Sequence, residues 1–185
     1  MDNFGTIYLV VFFIITFLWV IEIIKFRPEV ADGQSKKTFY QILFSIVSSI
    51  LLTSVFFFSD TFSVPSSLRP LFINIGIIGY AIGIFIRLWS RFELGKYFSH
   101  HVAVDVEQEL ISKGPYKYFR HPLYIGLFLL TVSVPVFTFN YGGLIYALLS
   151  MKYSLSQRIN EEELEMEKVL GQRYIDWKKD RYKIF

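Results

Sequence analysis

Residues 39–59 read FYQILFSIVSSILLTSVFFFS, and residues 71–86 read LFINIGIIGYAIGIFI before Arg87 ends the run. Neither stretch carries a charged side chain. A helix rises 1.5 Å per residue, so about 20 residues cross a hydrocarbon core roughly 30 Å thick. Both runs therefore predict membrane helices. Toward the N-terminus, residues 4–21 form another uncharged run, followed by Glu22, Lys25 and Arg27. It has no small-residue cleavage site behind a short apolar centre, so it reads as a retained anchor rather than a signal peptide. Toward the C-terminus, residues 122–139 form a fourth run containing Pro135, and residues 141–151 a short fifth one. Only Asn140 separates these two, which predicts a tight helical hairpin.

Composition agrees with the runs. Of 185 residues, 53% are hydrophobic, 19% aromatic and only 19% charged, against about 45–50% apolar and about 25% charged in ordinary soluble domains. The chain has no cysteine, which excludes a disulfide framework, a thiolate zinc site and a cysteine nucleophile. Three histidines are too few to suggest a metal site built from histidine alone.

The basic residues predict an orientation, because short loops rich in Lys and Arg stay on the cytoplasmic side. Lys25, Arg27, Lys36 and Lys37 follow the first run; Arg87, Arg91, Lys96, Lys113, Lys117 and Arg120 follow the third; eight more lie from Lys152 onward. These make 18 of the 19 basic residues, with Arg69 the exception. Five helices, with the N-terminus outside and the tail in the cytoplasm, satisfy every segment together. The expected fold is thus all-α and polytopic, one integral membrane domain. Residues 1–90 supply the N-terminal membrane helices, and residues 91–185 form a binding half in which a cytosolic loop and C-terminal helix close a pocket.

Function belongs where that loop, residues 92–120, meets the tail. The tail predicts a helix continuing from the fifth run to about Leu170, with Gly171 as its C-cap and a second short helix over residues 174–179. No Gly-rich phosphate loop follows a strand, so a Rossmann dinucleotide site is unsupported, and nothing suggests a nucleic-acid partner. On the tail helix Arg158 and Glu162 stand at i and i+4 and share a face. The pair reads either as an exposed ion pair worth about 0.3–0.5 kcal/mol or as a guanidinium held ready for a carboxylate by parallel hydrogen bonds. Its place directly after a membrane helix favours the second reading, since charge there needs a cavity or a partner. Glu163, Glu165 and Glu167 read as a solvated face.

Residues 114–124 read GPYKYFRHPLY. Gly-Pro predicts a turn, and Pro122 suits a first helical turn where its missing N–H costs nothing. The tyrosines, Arg120 and His121 suit an interfacial belt as well as a ligand site. His100 and His101 read as interfacial loop residues.

Taken together, QELISKGPYKYFRHPLY at residues 108–124 and RINEE at residues 158–162 resemble the isoprenylcysteine carboxyl methyltransferase family and its relatives among phospholipid N-methyltransferases. The GPY, RHPxY and RIxxEE elements occur in order over the C-terminal half. The resemblance implies S-adenosylmethionine in a cytosol-facing pocket closed by loop and tail, with a lipophilic substrate entering from the bilayer. It implies cofactor contacts from Gln108, Glu109, Leu110, Ile111, Tyr116, His121, Pro122, Leu123, Tyr124 and Glu162, with Arg158 acting catalytically on the substrate. Gln108 stands where eukaryotic members have His; it still hydrogen-bonds but cannot become cationic.

The implied chemistry needs no base when the acceptor is a carboxylate, such as that of a prenylated cysteine or another lipid acid. Methyl transfer from a sulfonium to a carboxylate neutralises both charges, so a water-poor pocket and in-line placement favour it. A phenol, enol or amine acceptor would need His121, Glu161 or water as base. Two alternatives stand beside this one. Sterol reductases using NADPH have a similar GxYxxxRHPxY passage, and a non-enzymatic membrane scaffold would use the same loop as an interfacial belt.

Overall fold

The computed structural model describes residues 33–95 and 109–185. The run at residues 4–21, and Gln108, lie outside the described residues. The described chain consists of helices α1 (Gly33–Phe58), α2 (Arg69–Leu94), α3 (Pro122–Phe137), α4 (Tyr141–Leu170) and α5 (Gln172–Lys179), with 3-10 turns at Ser66–Leu68 and Gly114–Lys117. Lys36–Phe58 and Ser66–Leu94 are long and apolar enough to cross a membrane, yet only 28% and 22% of their most apolar windows are buried within the protein. Phe44, Leu51, Val55 and Phe58 on α1, with Ile78, Phe85 and Phe92 on α2, face outward. An apolar surface of that extent calls for lipid rather than water.

Local chemistry explains the helix ends. Pro122 occupies the first turn of α3, and Pro135 lies in its last turn. The Asn140 side chain caps α4 by accepting from Gly143 N at 2.7 Å, while its Nδ2 donates to the Thr61 carbonyl at 2.8 Å. This cap fixes the hairpin the sequence predicts. Helix α4 then continues for 30 residues and stops at Gly171, whose φ of 52° suits glycine. The short final helix follows as expected. One boundary differs from the sequence reading: Arg87 and Arg91, expected in a loop, lie inside α2, which runs to Leu94. Charge marks where lipid ends, but a helix needs no lipid to continue its own hydrogen bonds.

Helix α3 lies between α2 and α4, and α1 packs chiefly on α4. The α2–α3 contact is backbone against backbone. A Cβ at Gly76 would stand 2.5 Å from the Phe137 N and Cα, and one at Gly126 would stand 2.9 Å from the Arg87 N and Cβ. Small residues allow this approach in membranes, where association rests on packing and polar contacts. The α1–α4 contact supplies the polar kind. Ser45 and Ser154 hydroxyls meet at 2.7 Å, and Ser48 Oγ lies 2.9 Å from the Tyr146 hydroxyl. Ile46, Leu130, Met151 and Leu155 fill the core beside these contacts.

Candidate functional site

The first turn of α3 and the part of α4 beyond its apolar run converge on one buried polar cluster. Arg158 is 3% exposed, so the exposed-pair reading does not hold. Its Nε donates to Glu162 Oε1 at 2.9 Å and to the Tyr124 hydroxyl oxygen at 3.2 Å. The Tyr124 hydroxyl itself donates to Glu162 Oε1. His121 Nδ1 lies 3.7 Å from Glu162 Oε2. Four of the residues singled out in the sequence are therefore joined around one carboxylate. Burial by itself lowers the Arg158 guanidinium, but Tyr124 and Glu162 outweigh it and hold the group above its usual range. It remains a cation here.

Glu163 corrects the sequence reading of a solvated face. It is buried, with Oε1 3.1 Å from His121 Nε2 and accepting from Arg120 Nη1 at 3.5 Å, while Oε2 accepts from Lys183 Nζ at 3.4 Å. A signal for it exists in the sequence. Leu155, Ile159, Glu163, Met166 and Leu170 recur at helical spacing, which places Glu163 on the inward stripe. Burial raises its carboxyl, but the His121 hydrogen bond and charge, then Lys183 and Arg120, prevail and bring it down to about 2.

A pH-dependent stability follows. A folded-state pKa below the unfolded value stabilises fully above about pH 4.5 and loses that contribution as pH falls toward about 2. Glu163→Gln should therefore destabilise the protein above about pH 4.5, by at most a few kcal/mol at about 1.4 kcal/mol per pH unit. Thermal melting of both forms from pH 7 down to pH 3 checks this: the gap should shrink with acidification, and a constant gap would assign it to packing instead.

The tail closes over the loop through backbone contacts. Tyr182 N donates to the Tyr118 carbonyl at 2.8 Å, and Arg120 N to the Tyr182 carbonyl at 3.2 Å. Arg120 Nε donates to the carbonyls of Lys178 and Arg181 at 3.1 and 3.0 Å, and Arg181 Nε to that of Tyr116 at 2.7 Å. Ile111 joins through a different contact, the Trp177 indole N–H donating to its carbonyl at 3.1 Å, and Leu110 beside it is half-buried. Glu109 is exposed, Pro122 is buried and Leu123 is half-buried. Tyr116 is buried, and burial, followed by Glu162, pushes its hydroxyl above the usual range.

One further residue escaped the sequence reading. Tyr174 on α5 is fully buried and stacks on Trp177, and its hydroxyl is without a hydrogen-bond partner among the described residues. Burial, then the charge of Glu163, pushes that hydroxyl up, with Glu162 contributing as well. An unsatisfied buried hydroxyl costs about 1–3 kcal/mol, an expense that a polar ligand group would remove. The donor set suits an adenosyl sulfonium compound: carboxylates for hydroxyl and ammonium groups, aromatic rings for the base, and a buried hydroxyl awaiting a partner. No local pattern could have flagged Tyr174, because its surroundings come from three separate segments.

Among the described residues, fold and cluster together define a helical protein with two helices long and apolar enough to cross a membrane, and a buried polar site where the first turn of α3 meets α4 beyond its apolar run. The isoprenylcysteine carboxyl methyltransferase (ICMT) family profile matches residues 75–168, and the chain belongs to that family. Among individual relatives, protein-S-isoprenylcysteine O-methyltransferase of Xenopus laevis is 32% identical over 108 residues, 57% of this chain and 37% of the frog protein. The Homo sapiens protein of the same name is 30% identical over 107 residues, 56% of this chain and 37% of its own length. The Dictyostelium discoideum protein is 26% identical over 166 residues, 88% of this chain and 68% of its own. The chain thus spans little more than a third of the first two relatives it matches.

Proposed function

We propose that this protein transfers a methyl group from S-adenosylmethionine to the carboxylate of a lipophilic acceptor, a prenylated cysteine being the class its relatives' names suggest. The observation that carries the reading is the buried Arg158–Glu162–Tyr124 cluster at the end of apolar helices. When bound, the cofactor supplies an electrophilic methyl group. Glu162, Tyr124, His121 and the turn at Tyr116 form its cradle, with Glu109, Leu110, Ile111, Pro122, Leu123 and Gln108 contributing along the loop. Arg158 orients the acceptor carboxylate and balances its charge, while Glu162 and Tyr124 fix the guanidinium from the opposite edge. The acceptor arrives as an anion, so no residue need remove a proton. Loop and tail exclude water, which strengthens each of these electrostatic contacts.

In this reading the site faces the cytoplasm, five helices cross the bilayer, the N-terminus lies outside, and the acceptor enters from the lipid. The basic-residue asymmetry supports that orientation. Family membership favours the methyltransferase over the NADPH reductase and the scaffold. Calorimetric titration tests it: S-adenosylhomocysteine should bind the purified protein and NADPH should not, whereas NADPH binding alone would favour the reductase.

A further inference from the structure

The matched family region begins at residue 75, so α1 lies outside it, yet α1 reaches the centre of the cluster. Thr38 is 1% exposed. Its Oγ1 lies 2.6 Å from Glu161 Oε2 and accepts from Arg158 Nη1 at 3.3 Å. A hydroxyl has one proton and two lone pairs. The carboxylate at 2.6 Å takes that proton in a short charge-assisted bond, and this turns the hydroxyl lone pairs toward the guanidinium. The chain of donors is therefore directional, from Arg158 to Thr38 to Glu161. Arg158 is gripped at two edges, its Nε by Glu162 and Tyr124 and its Nη1 by Thr38. Two grips on a planar group fix its plane as well as its place.

We infer that Thr38, backed by Glu161, is a positioning residue that sets the plane in which Arg158 presents its guanidinium to the acceptor carboxylate. This rests on the methyltransferase reading of the same site. A bidentate guanidinium–carboxylate contact depends on coplanarity, so a free rotation of Arg158 weakens acceptor binding more than cofactor binding. Glu161, half-buried and bonded to Thr38 rather than directly to the Arg158 Nε that Glu162 holds, acquires a task distinct from its neighbour. Helix α1 becomes part of the acceptor site rather than a passive anchor.

The test compares Thr38→Val, which keeps the shape without the hydroxyl, with Thr38→Ser, which keeps the hydroxyl. Two affinities are read for each in the same detergent: S-adenosylhomocysteine by calorimetry, and S-farnesylcysteine in the absence of cofactor. Thermal melting confirms that each variant is folded. Thr38→Val should weaken S-farnesylcysteine binding about 10-fold, leave S-adenosylhomocysteine binding within about 2-fold, and be restored by Thr38→Ser. Normal S-farnesylcysteine binding by Thr38→Val would overturn the positioning role and leave the methyltransferase reading standing. Equal losses for both ligands, unrelieved by serine, would make Thr38 a structural residue and overturn the role too. A wild-type protein that binds neither ligand would overturn the methyltransferase reading itself, and the positioning role with it.

Discussion

Arg158→Lys should lower methyl transfer to a prenylated cysteine about 100-fold while leaving S-adenosylhomocysteine affinity within about threefold, the loss corresponding to about 3 kcal/mol of transition-state stabilisation. Lysine preserves the positive charge but not the planar fork. In the native cluster three groups hold one guanidinium at two nitrogens, Glu162 and Tyr124 at Nε and Thr38 at Nη1. A single ammonium on a flexible stem cannot meet all of them and a substrate carboxylate in one plane. Transfer of labelled methyl into a base-labile ester, measured beside calorimetric cofactor binding, checks the split. If cofactor binding disappears with transfer, Arg158 is a cofactor or structural residue, and acceptor recognition moves to Arg120 and His121.

The second large effect is on folding. Gly76→Val should destabilise the protein by about 3 kcal/mol or more, beyond the usual cost of overpacking, because the first added atom would stand 2.5 Å from the backbone of Phe137. Backbone cannot rotate aside as a side chain can, so α2 and α3 must separate. Phe137 is buried and α3 carries His121 and Tyr124 at its other end, so the site should loosen as well. A lowered melting temperature in detergent, against an unchanged one for the exposed Ala81→Val, is the expected outcome. Equal melting of both variants would show that the α2–α3 approach contributes little.

Much of this architecture was readable from local chemistry. The Asn140 break, Gly171 and the helical spacing through RINEE each depend on a few neighbouring residues, and each stands where expected. The limits of the reading are equally physical. Charge placed Arg87 and Arg91 in a loop because it reports the edge of lipid, whereas α2 ends according to its backbone hydrogen bonds. Glu163 was grouped with Glu165 and Glu167 by composition, although its spacing from Ile159 and Leu170 put it on the inward stripe. Thr38 and Tyr174 had no local signal at all. Thr38 meets Arg158 across 120 positions of sequence, and the environment of Tyr174 exists only once α5 folds back over the loop.

The most direct measurement is a calorimetric titration of S-adenosylhomocysteine into the purified wild-type protein, Tyr124→Ala and Glu162→Ala, with melting curves to establish that all three are folded. Glu162 stands at the junction of Arg158, Tyr124 and His121, so a cofactor held by this cluster must feel its removal. The wild type should bind with one site per chain, and each variant should lose at least about 10-fold in affinity. Unchanged binding in both folded variants would contradict the assignment of the cofactor to this cluster.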